Sequence, residues 1–145
     1  MVNAYDNSIV ETDQFLDSVL KWLTAHENQA QTAMIYVADH GESLGEKNIY
    51  LHGLPYAVAP DVQKHVPWIT WLSPAMQART QTTTGCLQKD LADRRITHDH
   101  YFHSVLGLMD VTTSAYNPEL DMFAPCRNAT PAKLASPSPT TAPKG

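Results

Sequence analysis

The chain has 145 residues, 43% of them apolar and 17% charged, which is one domain's worth of ordinary globular composition. A net charge of -5 and the absence of clustered Lys and Arg exclude a phosphate-tracking nucleic-acid surface, since the one arginine pair, Arg94-Arg95, lies beside Asp90 and Asp93. No run of about 18 apolar residues exists to span a bilayer, and the polar segment after Met1 does not read as a signal peptide.

In chain order, Ser8-Ile-Val-Glu11 has the spacing of a capping box, with the hydroxyl meeting first-turn N–H groups and the glutamate reaching back. Ile9, Leu16, Val19, Leu20 and Leu23 then recur at three- and four-residue steps, predicting an amphipathic helix to about residue 26 with that stripe inward. Residues 28–32 are polar and read as a turn. The run 33–38 is too short for a helix, and both of its alternating faces are apolar, as in a strand covered on each side. Helix, tight loop and covered strand together predict an α/β sheet, where ligands gather at the carboxyl ends of strands. Asp39 and His40 stand at that end.

Residues 41–59 lose periodicity and read as a long functional loop. A second strand is predicted over 68–72, with Pro67 at its entrance and Pro74 closing it, and residues 77–84 read as surface loop. A last helix is predicted over 99–109, burying Phe102, Val105, Leu106 and Met109, with Thr97 or Asp99 as its cap. From residue 127 the Pro-, Ser- and Thr-rich composition offers too little apolar surface to offset chain ordering, so residues 1–126 read as the folded part and 127–145 as a disordered tail. Asn128-Ala-Thr is formally a glycosylation sequon.

The chemistry concentrates after the first strand. Asp39 and His40 offer a hard oxygen and an imidazole nitrogen, both common ligands of Zn²⁺. Neighbouring residues of a strand point to opposite faces, so the two converge on one ion only if the chain turns, and Gly41 permits that turn. His52 follows twelve positions after His40, across a segment carrying Glu42 and Glu46, which either orient ligands or solvate the loop. The stretch reads as a metal-dependent phosphoryl-transfer site, or half of one. His98, His100 and His103 cannot all share a helix face, and packing is the plainer role for them and for His65. Trp68 and Trp71 read as core or sheet-face residues. Cys86 and Cys126 lie forty positions apart without zinc-site spacing; one disulfide and two free thiols both fit.

The segments Tyr36-Val-Ala-Asp-His-Gly-Glu-Ser-Leu-Gly-Glu, Ile49-Tyr-Leu-His-Gly-Leu-Pro-Tyr and His65-Val-Pro-Trp-Ile-Thr-Trp-Leu-Ser resemble the lipid A phosphoethanolamine transferases, colistin-resistance enzymes included, of the alkaline-phosphatase and sulfatase-like superfamily. The likeness extends through Tyr5-Asp-Asn-Ser-Ile and through His98-Asp-His-Tyr-Phe-His-Ser-Val-Leu-Gly-Leu-Met-Asp-Val. It implies the C-terminal portion of a sandwich in which helices flank a central sheet. By the same resemblance, Asp39 and His40 hold a catalytic zinc and His52 lies in the substrate pocket, against the phosphoryl group or a second metal. The implied reaction carries phosphoethanolamine from phosphatidylethanolamine to lipid A by way of a phospho-threonine, at the periplasmic face of the bacterial inner membrane. The resemblance also favours a Cys86 to Cys126 bridge.

The family's nucleophilic threonine, a further acidic ligand, another pocket histidine and its membrane helices have no counterpart in these residues. The chain therefore reads as a carboxyl-terminal piece that does not turn over substrate alone, with membrane contact left to helices it lacks. An arylsulfatase, a phosphoglycerol transferase or a truncated non-catalytic product are the alternatives.

Overall fold

The computed structural model describes residues 2–127, which fall into two compact units divided between Arg79 and Thr80. The sequon and all but the first residue of the predicted tail lie outside the described residues.

The first unit opens with helix α1, Val2–Ala25. It starts six residues before the predicted capping box, because the Ser8 hydroxyl donates to the Tyr5 carbonyl (2.6 Å) inside the helix. A serine whose hydroxyl is satisfied by the preceding turn has no need to sit at a cap. The apolar stripe is only partly inward. Leu16 is buried and Val19, Leu20 and Leu23 are half-buried, while Ile9 stands 52% exposed.

Strand β1, Ala33–Val37, pairs antiparallel with β4, Trp68–Leu72, with Ala33 opposite Leu72 and Val37 opposite Trp68. The ladder continues past both ends: Ser73 N–H donates to the Thr32 carbonyl (3.0 Å), and Ala38 N–H to the Pro67 carbonyl (3.4 Å). Met34 and Leu72 are buried, but the other residues of β1 are half-buried, short of the covering expected on both faces. With two strands the sheet has only edges, so its ladder shields each strand on one side. Trp68 and Trp71 are half-buried sheet-face residues.

Between β1 and β4 the predicted loop contains a small antiparallel hairpin, β2 (Ser43–Leu44) against β3 (Tyr50–Leu51). Its connection turns through Gly45 at φ 126°, where a side chain would be strained, and through Lys47 and Asn48, both left-handed. Helix α2, Pro74–Thr80, replaces part of the predicted surface loop. Ser73 leaves the strand and caps it, its hydroxyl accepting from Met76 N–H (3.2 Å) with Pro74 in the first turn.

The second unit holds α3, Thr84–Leu91, and α4, Asp99–Leu108. The Thr83 hydroxyl caps α3 by accepting from Cys86 N–H (3.2 Å). Helix α4 lies where the sequence placed it, but its inner face is rotated: His100, Ser104, Gly107 and Leu108 are buried, whereas Phe102 is 53% and Met109 64% exposed. Small residues decide this. The Ser104 hydroxyl accepts from Met122 N–H (3.0 Å), and Gly107 leaves room for Asp121 and Arg127, which a Cβ there would strike. Neither predicted cap is used; Thr97 N–H instead donates back to His100 Nδ1 (3.1 Å), and His103 Nδ1 accepts from Asn117 N–H (3.1 Å). Packing occupies both rings.

Asp121 is fully buried, accepting from Tyr116 Oη (2.7 Å) and Phe123 N–H (2.8 Å) and pairing with the Arg127 guanidinium, which also donates to the Gly107 carbonyl (2.7 Å). Arg127 thus belongs to the folded part, one residue beyond the predicted boundary. A disulfide joins Cys86 on α3 to Cys126, with Cα atoms 5.7 Å apart, beside the buried Met122 and Phe123. Closing forty positions removes about 4 kcal/mol of unfolded-chain entropy on the loop-closure account.

Candidate metal and phosphoryl site

The site lies wholly within the first unit, where β1 ends and the hairpin begins. Ser43 faces Leu51 across the hairpin, so the next positions outward, Glu42 and His52, are brought together by register alone. The His52 Nδ1 lies 2.7 Å from Glu42 Oε1. The chain must bend between His40 and Glu42, and Gly41 permits a close approach there: a Cβ would overlap the Val62 carbonyl, while Gly41 N–H donates to the Gln63 carbonyl (3.1 Å). Gln63 is buried and acts as a clamp. Its Nε2 donates to Ser43 Oγ (2.8 Å) and to the Leu51 carbonyl (3.0 Å), fixing both strands of the hairpin to the segment that follows.

This frame brings the His40 and His52 rings together, their centroids 3.7 Å apart and their planes tilted by 32°. Asp39 Oδ2 lies 3.6 Å from His40 Nε2, with the Asp39 side chain 88% exposed and that of His40 38%. The His40 backbone N–H, donating at 3.0 Å, and then the His40 ring hold the Asp39 carboxyl below its ordinary pKa, so it stays an anion. One candidate ligand atom each from His40, Glu42 and His52 falls within 4.8 Å of the others. His40 and His52 are thus brought together with Glu42, while the exposed Asp39 lies beside His40 and outside that group of candidate ligands.

The site fits a cation on its own chemistry. Two imidazoles and carboxylate oxygens are the donor types zinc takes, and Glu42 Oε2 is shielded from solvent without a hydrogen-bond partner among the described residues. An anionic oxygen in that position is costly unless a cation meets it. Beside the histidines a pocket of about 240 Å³ is walled by Tyr56, Ala59, Gln63 and Lys64. The Lys64 ammonium, 3.2 Å from Asp61 Oδ1 and 5.2 Å from the centre of the Tyr56 ring, gives this wall a positive charge.

Sequence reasoning left Glu42 between orienting and solvating roles, and it did not single out Gln63, Lys64 or Tyr56. Glu46 has a local task, its carboxylate accepting from Leu44 N–H (2.8 Å). His65 is exposed and so does not pack as expected; its backbone N–H bonds the Asp61 carbonyl (2.8 Å).

A sequence model of the sulfatase family matches residues 1–111. Among similar proteins, the phosphoethanolamine transferase EptA of Escherichia coli is 45% identical over 127 residues, 88% of this chain and 23% of that protein. The phosphatidylethanolamine transferase Mcr-1, also from Escherichia coli, is 42% identical over 112 residues, 77% of this chain and 19% of its own length. Among solved structures, the integral membrane protein lipooligosaccharide phosphoethanolamine transferase A from Neisseria meningitidis superposes with a TM-score of 0.83 at 43% identity, covering 88% of this chain and 24% of that one. The chain thus spans about a quarter of the length of the relatives it matches. At that identity and TM-score the two short ladders and their helices are part of the expected α/β fold, and the chain belongs to the sulfatase family.

Proposed function

We propose that these residues form the metal-binding part of a zinc-dependent transferase that moves phosphoethanolamine from phosphatidylethanolamine to lipid A. The observation that carries this reading is the meeting of His40, Glu42 and His52 beside a pocket with a cationic wall, with Asp39 next to His40. Asp39 and His40 would hold the zinc, with His52 facing the transferred group. Zinc, when bound, supplies a Lewis acid that lowers the pKa of a hydroxyl and neutralises charge on a phosphoryl group. The chain's own residues bind and orient. Lys64 offers positive charge to a phosphate, Tyr56 an aromatic wall, and Gly41 and Gln63 hold the two histidines in register.

In this reading the threonine that carries the group lies outside these residues, and the chain alone is inactive. The parent works at the periplasmic face of the inner membrane, consistent with an integral membrane relative. Among the described residues no helix is long and apolar enough to cross a membrane.

The test is a graft. The chain replaces the matching 127 residues of Escherichia coli EptA, and lipid A from cells carrying the hybrid is examined by mass spectrometry. Phosphoethanolamine-modified lipid A is expected from the hybrid and none from its His40→Ala version. Near-normal modification with His40→Ala would refute the ligand role.

A further inference from the structure

We infer that Glu42 is a positioning residue that selects the tautomer of His52, keeping the proton on Nδ1 and leaving Nε2 as an acceptor. Three observations carry this. Glu42 Oε1 and His52 Nδ1 are 2.7 Å apart, the separation of a strong charge-assisted hydrogen bond. A carboxylate oxygen is an acceptor, so the hydrogen in that contact belongs to the ring. Glu42 is also the less exposed partner, its side chain 24% exposed against 49% for His52, and the hairpin register fixes its place.

A neutral imidazole carries one N–H, so committing it to Nδ1 leaves a lone pair on Nε2. His52 lines the pocket, and among the described residues that nitrogen meets no hydrogen-bond partner. A ring backed by a carboxylate is a better base and a better metal ligand than a free one. It cannot donate a hydrogen bond from Nε2 to a phosphoryl oxygen until it has itself been protonated. His52 therefore meets its ligand as an acceptor of a proton or a cation. The tautomer follows from the geometry alone, and only the identity of the ligand rests on the transferase reading.

His100 and His103 accept backbone N–H bonds at Nδ1, which commits them to the opposite tautomer.

The experiment is a long-range proton–nitrogen correlation spectrum of the full 145-residue chain, ¹⁵N-labelled and treated with a chelator. The pH is raised until the nitrogen shifts of each ring themselves report the neutral form. His52 is expected to show a protonated Nδ1 and an unprotonated Nε2, with His100 and His103 reversed as internal references. Glu42→Ala is expected to return His52 to the Nε2–H form that free histidine favours, and Glu42→Gln, which keeps an acceptor oxygen, to retain the native pattern. A wild-type His52 protonated at Nε2 overturns the inference, whether or not any variant folds. So does a Glu42→Ala spectrum unchanged at His52. Neither outcome touches the graft experiment, so the two readings fail separately.

Discussion

Removing the Gln63 clamp should loosen the site without touching any candidate ligand. Its side-chain amide makes two bonds, to Ser43 Oγ and to the Leu51 carbonyl, in a position only 6% exposed. Gln63→Met keeps most of the volume and deletes both bonds. At about 1 kcal/mol net per neutral bond, with part of the desolvation cost of the orphaned Leu51 carbonyl added, the loss is about 2–3 kcal/mol. Gln63→Ala adds a cavity and should cost about 1 kcal/mol more. All three tryptophans, Trp22, Trp68 and Trp71, lie in the first unit, so tryptophan fluorescence in a urea titration reports unfolding of the unit that holds Gln63. The reasoning is refuted if Gln63→Met unfolds within about 0.5 kcal/mol of the parent chain, the range of an ordinary surface change.

Other perturbations separate the parts of the account. Gly41→Ala places a Cβ against the Val62 carbonyl and should cost about 1–3 kcal/mol by the same fluorescence assay, with weaker zinc binding in a competition titration. Arg127→Met strands the buried Asp121 carboxylate and should cost about 3–5 kcal/mol, read by far-ultraviolet circular dichroism because the second unit has no tryptophan; adding Asp121→Asn should recover part of it. Reducing the Cys86–Cys126 bond should cost that unit up to about 4 kcal/mol, and an unchanged melting curve with two titratable thiols before reduction would contradict the bridge.

Strongly periodic or sharply bounded segments were legible in the sequence. The strand 68–72 and the helix beginning at residue 99 fall where apolar pattern and flanking residues put them. What the pattern could not show was which helix face turns inward: on α4 the small Ser104 and Gly107 admit residues 116–127, and the larger Phe102 and Met109 stay outside. Capping motifs misled for a related reason. Ser8 has the right spacing but is satisfied within α1, whereas Ser73 before Pro74, given no role in the sequence, is a true cap.

The same division holds at the site. Asp39, His40 and His52 were visible as residue types at the end of an apolar run and in the loop after it; the structure groups the two histidines with Glu42 and leaves Asp39 beside His40 alone. Glu42 was not assigned because its partner is set by a hairpin of two-residue strands, too short to alternate. Its signal was arithmetical: positions 42 and 52 share the register of 43 and 51. Gln63 had no signal of its own, since a buried amide clamp is defined only by the backbone atoms it meets.

The most direct test of the central claim is a zinc titration of the chain by calorimetry, beside its Asp39→Asn and His40→Ala variants. One ion per chain, with affinity falling in both variants while the fold persists, is the predicted result. Zinc uptake that is the same in all three proteins would contradict a shared site.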